Sequence, residues 1–400
     1  MTKPRALRRH RLRSLLPALL CMAAAPWPAA AQAGLDDAGL ERLRTALQTR
    51  LDSLHAAARF PGATLGVALP DGRVIAVATG MADTARHQPM TTAARLLAGS
   101  VGKTYVAAVA MQLVGEGSLD LDAPISRWLG DEPWFDRLPN ARDITVRMLM
   151  RHQSGLVRYE FDPAVTRKIT AEPDHVWTPE ERVSYLLDSE APFAAGQGWD
   201  YSDTNYIVLG MIIERITGEA LNDRIAARVL RPLGLSNTIP SDRRELPGVV
   251  QGYAGPNNPF GGRDAMIEDG RFIMNPQMEW AGGGYAMTSA DLARWAKLLY
   301  EGEAFDASLL PRMLDGVPAA ALGRDVRYGL GVILTPTDLG PAWGHSGFFP
   351  GYLTEMRYYP EHGFALALQF NTSVGRAIGR NPGTLLHGFA HVVAAALSGR

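Results

Sequence analysis

The sequence predicts an α+β fold, in which an antiparallel sheet is built from N- and C-terminal strands, is flanked by helices and carries a large helical inserted region. Two observations lead to this prediction. Strand-like runs occur at about residues 63–79 and again at about 329–370. The segment between them, about 120–300, is mostly helical or loop-like, and helical patterns stand before the first strands and after the last.

The N-terminal elements are a helix and a hairpin. Leucines at helical spacing predict a helix over residues 35–59. The short apolar runs 63–69 and 74–79 predict two strands, and Pro-Asp-Gly-Arg at 70–73 predicts the turn between them. The apolar stretch that follows Ser100 predicts another helix, ended by two glycines.

The rest of the chain completes the pattern. Residues 206–217 predict a helix that stops at Gly218, and another helix begins at Thr288 or Ser289, both good caps. The Gly-, Pro- and Asn-rich stretch 252–280 predicts a long surface loop, a kind of segment that is often functional. The final elements are predicted to be strands at 329–334, 342–346, 352–359 and 364–370 and a helix at 385–397.

The N-terminus indicates export. Residues 1–33 contain six basic residues, a short apolar run and small-x-small cleavage sequences, which together predict a signal peptide. The run is shorter than the about 20 apolar residues that span a bilayer, so a periplasmic or secreted protein without a stable membrane anchor is expected. Residues 34–400 are predicted to form one domain, with a sheet region at 34–99 and 320–400 and a helical region at 100–319.

Composition and charge restrict the partners. The 400 residues are 46% hydrophobic and 20% charged, as is ordinary for a soluble globular protein. Loss of residues 1–33 would change the formal net charge from −1 to about −7, which makes nucleic acid an unexpected partner because binding it calls for a basic face. The one cysteine, Cys21, lies in the predicted signal peptide, so the mature chain would have no disulfide.

Lys103 is the most informative residue for function. Only four of the 40 basic residues are lysines, and this one stands three residues after Ser100 in a largely apolar stretch. A lysine can lose its proton when desolvated, whereas an arginine stays charged. Ser-x-x-Lys at the start of a helix pairs a nucleophile with a base, although a chance match would occur about one time in five.

Three later segments add to this pair. Tyr201-Ser-Asp203 places a phenol and a carboxylate just before a predicted helix, where both can face a cleft. His345-Ser-Gly-Phe348 places polar groups beside a glycine on a predicted strand, where a substrate can approach the backbone. The glycine run at 281–284 either lines the same site or forms a plain turn.

These segments, in this order, resemble the serine β-lactamase and penicillin-binding-protein superfamily over about residues 60–370. The resemblance implies the β-lactamase/transpeptidase-like fold and no cofactor. It also implies Ser100 as nucleophile, Lys103 as proton acceptor and Tyr201 as proton relay. It further implies an oxyanion hole from the backbone N–H groups of Ser100 and Phe348. The substrate-binding positions that it implies are Asp203, His345, Ser346, Gly347 and Phe348.

Two departures from the family pattern affect the expected activity. Asp203 stands where the family usually has Asn, and a carboxylate there would favour the charged form of Lys103. His345 stands where β-lactamases have Lys, and histidine would hold a substrate carboxylate less firmly. The His form resembles D-alanyl-D-alanine carboxypeptidases, D-aminopeptidases and esterases more than resistance enzymes.

The expected activity is therefore that of an exported serine hydrolase that forms an acyl-enzyme on Ser100. Its expected substrate is a D-alanyl-D-alanine terminus, such as that of a peptidoglycan stem peptide, or another D-amino-acid peptide. An ester and, as in class C enzymes, a β-lactam are the alternatives. A penicillin-binding-like protein that binds peptidoglycan without turnover is the alternative from another class, and Asp203 is the residue that favours it.

The sequence contains two further histidine features of interest. His387 and His391 are four residues apart on the last predicted helix, a spacing that suits a metal, but no third ligand is evident nearby in the sequence, so no metal site is predicted. His152 is expected to be a structural histidine near the helical region.

Overall fold

The computed structural model describes residues 34–259 and 262–399, and the predicted signal peptide at 1–33 lies outside these residues. Fourteen strands occur in the described chain. They are β1 Gly62–Ala68, β2 Val74–Asp83, β3 Gln88–Pro89, β4 Leu96–Leu97, β5 Ile239–Pro240, β6 Ile267–Glu268, β7 Arg271–Phe272, β8 Tyr285–Met287, β9 Val317–Pro318, β10 Arg327–Tyr328, β11 Ile333–Thr337, β12 Gly340–Phe349, β13 Tyr352–Tyr359 and β14 Phe364–Phe370.

Helices precede, follow and interrupt these strands. They are α1 Asp37–Ala58, α2 Lys103–Gly115, α3 Ser126–Leu129, α4 Val146–Met150, α5 Pro163–Ala171, α6 Pro179–Ser184, α7 Thr204–Thr217, α8 Leu221–Ile225, α9 Ser289–Tyr300, α10 Leu310–Leu314, α11 Gly375–Ile378 and α12 Pro382–Leu397. Nine of the twelve lie between β4 and β9, so the middle of the chain is the helical region.

The main sheet joins the two ends of the chain. Nine strands pair in the order β3-β2-β1-β14-β13-β12-β11-β10-β9, and every neighbouring pair is antiparallel. β1 and β14 lie side by side near its centre, with Leu65 opposite Leu368. The predicted fold class, an antiparallel sheet from N- and C-terminal strands with a helical insertion, is therefore confirmed.

Both faces of the central strands are covered. The leucines of α1 predicted from helical spacing, including Leu43 and Leu47, pack with Leu65, Leu368 and residues of α12 on one face. On the other face α9 packs against β1 and β14 beside the small side chain of Ala367. Burial of both faces explains why β1 and β14 are continuous apolar runs rather than alternating ones.

Element boundaries differ from the predictions at two places. The strand predicted at 329–334 is wrong in its bounds, because Gly331 adopts a φ of +79° in a turn and β11 begins only at Ile333. The stretch predicted as a long loop at 252–280 contains the short hairpin β6–β7 and a 3₁₀ turn at Pro276–Met278. Across the described ranges, the helices are all too short or too polar to cross a membrane.

Candidate active site

Ser100 and Lys103 come together at the start of α2. Ser100 lies in the 3₁₀ turn Gly99–Gly102, which runs directly into the helix. The two side chains are therefore on one face, and Lys103 Nζ lies 3.0 Å from Ser100 Oγ. Lys103 itself is fully buried, as few lysines are unless they have partners.

Two glycines allow this turn to form where it does. Gly99 has a φ of +52°, and a Cβ atom there would lie 2.4 Å from the carbonyl oxygen of Phe348 on β12. A Cβ atom on Gly102 would lie 1.5 Å from the carbonyl oxygen of Gly283. Any side chain at either position would push these backbones apart. The nucleophile turn is thus in contact with β12 on one side and with the glycine run at 281–284 on the other.

Lys103 is bound by two acceptors in addition to Ser100. Its ammonium group donates to the carboxylate of Asp203 and to the carbonyl of Gly282. Burial, the largest single effect, would lower the pKa of Lys103, but its interactions with Asp203 and Tyr201 together more than offset burial, and the pKa is raised. The amine is therefore charged at neutral pH in the resting protein, in agreement with the effect expected of Asp203.

Asp203 is placed by α7 but does not cap it. It occupies the N-cap position of that helix, yet its side chain makes no capping hydrogen bond. Its two oxygens instead accept from Lys103 and from Arg158, the latter at 3.2 Å. Burial opposes ionisation, but Lys103 and Arg158 hold the pKa of Asp203 well below its usual range. The carboxylate thus faces the site rather than the helix backbone.

Tyr201 lies beside the same pair. Its ring is 5.0 Å from Lys103 Nζ, and its buried hydroxyl has no well-formed hydrogen bond to any residue that the structure describes. Burial raises the pKa of Tyr201, while the charge of Lys103 opposes that rise without cancelling it. The phenol therefore keeps its proton in the resting state, and its hydroxyl lies near enough to Lys103 and Ser100 for them to lower its pKa.

His345 is a neutral histidine in this structure. Its Nδ1 lies 2.6 Å from the carbonyl oxygen of Ser346, which can only accept, so Nδ1 carries the proton and Nε2 accepts from Tyr328 Oη at 2.9 Å. The side chain is 1% exposed. Burial and the charge of Lys103 lower the pKa of His345 to about 3. A neutral, enclosed imidazole supplies no positive charge for a substrate carboxylate.

The other residues of this β12 segment are arranged around the nucleophile. Gly347 packs against the backbone of Ala98, where a side chain would not fit. Phe348 is 56% exposed and projects into the cleft that contains Ser100. The close approach of β12 to the Ser100 turn is what an oxyanion hole from the N–H groups of Ser100 and Phe348 requires.

His152 packs against the ring of Tyr201. It is fully buried, and its Nδ1 accepts from the backbone N–H of Ser202 at 3.2 Å and lies 3.1 Å from Asn205 Nδ2. Its ring centroid is 4.2 Å from that of Tyr201. Burial lowers the pKa of His152 well below its ordinary value. These contacts fit the structural role expected of His152.

Three ionisable residues in the cleft, Arg158, Glu160 and Glu279, were missed from the sequence. Arg158 contacts Glu160 at 2.6 Å in addition to Asp203. Burial and the charge of Asp203 raise the pKa of Glu160 well above its usual range and that of Glu279 to about 8. The only sequence signal is position: Arg158 follows the segment 152–156, and Glu279 precedes the glycine run.

The cleft is large enough for a peptide. Its volume is about 920 Å³, and Ser100, Asp203 and Gly282 lie on its wall. The exposed rings of Phe161 and Phe348 lie at the same wall, and Arg158 stacks 4.1 Å above the first of them. The arrangement combines a hydroxyl nucleophile, a buried amine, a phenol and apolar surface for a substrate side chain, which suits acyl transfer.

Curated relatives include two kinds of protein. The chain is 29% identical over 353 residues to penicillin-binding protein 4 of Amycolatopsis lactamdurans, a match that covers 82% of this chain and 85% of that one. It is 28% identical over 331 residues to a D-aminopeptidase of Cereibacter sphaeroides. That second match covers 82% of this chain but only 60% of the D-aminopeptidase.

Two solved structures of similar fold are named as a D-amino acid amidase and a D-stereospecific amidohydrolase. The D-amino acid amidase of Ochrobactrum anthropi SV3, complexed with D-phenylalanine, superposes with a TM-score of 0.73 at 27% identity, over 88% of this chain and 99% of that one. A D-stereospecific amidohydrolase from Streptomyces gives a TM-score of 0.72 at 28% identity, over 84% and 97% of the two chains.

The comparison with protein families agrees with the curated relatives and with the solved structures. Residues 46–388 match the family model described as Beta-lactamase, which is most of the chain. This range includes Ser100, Lys103, Tyr201 and His345, and the fold around them is that of the related hydrolases. The chain belongs to the β-lactamase family and is a hydrolase of that fold.

Proposed function

We propose that this hydrolase is exported and forms an acyl-enzyme through Ser100, and that it cleaves amide bonds of D-amino-acid amides or short D-peptides with a free amino end. The observation that carries the choice of substrate is the neutral, buried state of His345. Without a cation there, this segment does not favour a substrate that ends in a carboxylate.

In the proposed reaction Ser100 is the nucleophile, and Lys103 and Tyr201 transfer the protons. Ser100 Oγ attacks the carbonyl carbon while its proton passes to Lys103 or Tyr201, and the C–O bond forms as the carbonyl becomes an oxyanion. The N–H groups of Ser100 and Phe348 stabilise that oxyanion. The oxyanion collapses, the C–N bond breaks and Tyr201 passes a proton to the leaving amine. Water then hydrolyses the acyl-enzyme by the reverse transfers.

Because Lys103 is charged and Tyr201 protonated at rest, Lys103 must release a proton to solvent before attack, and the free amine can then accept the proton of Ser100 directly or through Tyr201. A substrate that enters the cleft displaces water. The local dielectric then falls, and the electrostatic interaction between Lys103 and Tyr201 becomes stronger. The hydroxyl of Tyr201 then lies beside both Ser100 and the leaving group. The proposal therefore gives Tyr201 the shuttle role towards the leaving group and makes the free amine of Lys103 the final acceptor of the Ser100 proton.

The acidic lining of the cleft supports recognition of an amino group. Glu160, Asp203 and Glu279 all contribute to the wall. The nearest cation on that wall, Arg158, is already bonded to two of these carboxyl groups. The related amidase and D-aminopeptidase carry names that fit a substrate of this kind. A substrate ammonium group would favour the ionised form of Glu279, whose pKa of about 8 lies close to neutrality.

The test compares substrates that differ only at their ends. D-alanine amide, D-Ala-D-Ala with a free amino group and N-acetyl-D-Ala-D-Ala are incubated with the protein and with Ser100→Ala, and release of ammonia or D-alanine is measured. We expect the first two to be cleaved and the blocked peptide to be poor. Ser100→Ala should lose about 10⁴-fold or more in kcat, and mass spectrometry should find the acyl group on Ser100 alone.

Other outcomes assign other functions. Preference for N-acetyl-D-Ala-D-Ala would identify a D-alanyl-D-alanine carboxypeptidase. Cleavage of p-nitrophenyl acetate or of a fluorescent penicillin without any D-amino-acid product would identify an esterase or a class C-like β-lactamase. Labelling of Ser100 by the penicillin with no turnover of any substrate would support the non-catalytic peptidoglycan binder.

Export has its own test. The N-terminal sequence of the protein recovered from the periplasm or the medium should begin near residue 34. Recovery only from the cytoplasm with residue 1 intact would show that residues 1–33 are not a cleaved signal peptide.

A further inference from the structure

Three potential metal ligands meet on the surface away from the cleft. Asp338 lies in the turn between β11 and β12, and His387 and His391 lie one helical turn apart on α12. The candidate ligand atoms of all three are within 4.8 Å of one another. Asp338 is the third ligand that could not be seen from the sequence, because it precedes His387 by 49 residues.

The distances suit a small divalent ion. Asp338 Oδ2 is 3.3 Å from His391 Nε2, and Asp338 Oδ1 is 2.6 Å from His387 Nε2. Ligand bonds of about 2.0–2.1 Å in a tetrahedral zinc site place neighbouring ligand atoms about 3.3 Å apart. The first distance already has this value, and the second needs an opening of less than 1 Å. An exposed aspartate and two partly exposed histidine side chains can make that adjustment.

A buried tyrosine orients one of the ligands. Tyr359 is 1% exposed, and its hydroxyl lies 3.1 Å from His387 Nδ1, so that Nε2 of the same ring points to Asp338. The two rings also stack, with 6.0 Å between centroids. Histidine ligands of metals usually have such a partner on the second nitrogen, which fixes the ring and its tautomer. A chance surface group would not need this support.

We propose that Asp338, His387 and His391 bind a late first-row divalent metal ion, with Zn²⁺ as the representative, and that the ion clamps α12 to the β11–β12 turn. Two imidazoles and one carboxylate are a ligand set that zinc accepts, with water in the fourth position. Nitrogen ligands favour Zn²⁺ over Mg²⁺ or Ca²⁺, which prefer oxygen.

The site is separate from the proposed catalytic groups. His345 follows Gly340 by five residues along β12, which corresponds to about 16 Å at 3.3 Å per residue, and Asp338 lies before Gly340 in the turn. The expected effect of the metal is therefore on stability. An ion that binds only the folded chain stabilises that chain. Here the ion would hold α12 against the β11–β12 turn.

The experiment is calorimetric titration of ZnCl₂ into the full chain without a polyhistidine tag. We expect one equivalent bound, with a rise in Tm in the presence of zinc and no such rise with MgCl₂. His391→Gln and Asp338→Asn should each abolish this equivalent. Tyr359→Phe, which keeps the ligands but removes the supporting hydroxyl, should weaken it by about 10–100-fold.

The matched control is His87→Gln, an exposed histidine outside the cluster, which should bind zinc as the parent chain does. Because all variants keep Cys21, any binding to that thiol is common to them. Absence of saturable binding would overturn the proposal, as would an equivalent that persists in both His391→Gln and Asp338→Asn. Circular dichroism establishes that each variant is folded before titration.

Discussion

Two pairs of histidines in this protein differ mainly in burial. His152 and His345 are 0% and 1% exposed, and burial lowers the pKa of each so far that both stay neutral at physiological pH. His387 and His391 have side chains 27% and 48% exposed. The first pair can therefore only position neighbours such as Tyr201, whereas the second pair is accessible to a metal from solution.

The same contrast applies to ion pairs. Lys103 is fully buried against Asp203, whose side chain is 18% exposed, so the pair is weakly screened and each partner controls the charge of the other. Asp338, with a 70% exposed side chain, meets its histidines in solvent, where charges are strongly screened. We expect the buried groups to control activity and stability, and the exposed cluster to matter only with a metal.

The largest effect is expected from Lys103→Met. Loss of the amine should reduce kcat/KM by about 10²–10⁴-fold, and loss of one partner of a buried pair should lower the free energy of unfolding by about 3 kcal/mol. Asp203→Asn in the same chain should restore much of the stability but none of the activity, because it removes the charge that Lys103 no longer neutralises. Enzyme kinetics and urea denaturation measure the two effects.

The control for this prediction is Lys168→Met, which breaks the partly exposed pair with Glu181. Little change in either measurement is expected there. Equal stability losses in the Lys103 and Lys168 variants would remove the distinction between buried and exposed pairs.

The next effect is a shift in the pH profile. Asp203 raises the pKa of Lys103, so the rate that depends on the free amine should rise with pH above neutrality. Asp203→Asn removes the negative charge that raises the pKa of Lys103. Burial, which lowers that pKa, remains. The rising limb of kcat/KM against pH should therefore move to lower pH by roughly 1–3 units. An unmoved limb would mean that Asp203 does not control the base, and the exposed Asp188→Asn is the control variant.

A smaller effect is expected on stability against pH. The pKa of Glu279 rises from 4.5 to about 8, chiefly through burial, so the folded chain holds a proton that the unfolded chain releases. That contribution is complete below pH 4.5 and is lost as pH rises through 8. Tm should fall between pH 6 and 9, and by a few degrees less in Glu279→Gln. The exposed Glu303→Gln should follow the parent chain, and identical slopes in all three would refute the prediction.

The contrast also explains what could be predicted from the sequence. The fold class followed from apolar runs at both ends of the chain, since β1 and β14 are buried on both faces. The grouping of Ser100, Lys103 and Tyr201 followed from short motifs. These features depend on local pattern, which a sequence shows directly.

The remaining site features depend on distant contacts. Nothing in the sequence distinguishes Arg158 from the other arginines, which make up nearly all of the basic residues. The pKa of Glu279 depends on burial beside Asp203, 76 positions earlier in the chain, and the Asp338 cluster joins a turn to the last helix. The bounds of β11 were wrong because the turn at Gly331 interrupts an apolar run.

The smallest effect is expected from Asp338→Asn in metal-free buffer. The carboxylate is exposed, and its hydrogen bond from His387 lowers its pKa, so any stability that it adds is present at neutral pH and is lost only as pH falls through that lowered pKa. Solvent screening should make the change in Tm at pH 7.5 too small to resolve. With zinc added, the parent chain should gain Tm and the variant should not, because only the parent has the third ligand. A large loss of Tm without metal would show that the exposed cluster stabilises the fold through its ion pairs alone, and the contrast with Lys103 and Asp203 would then fail.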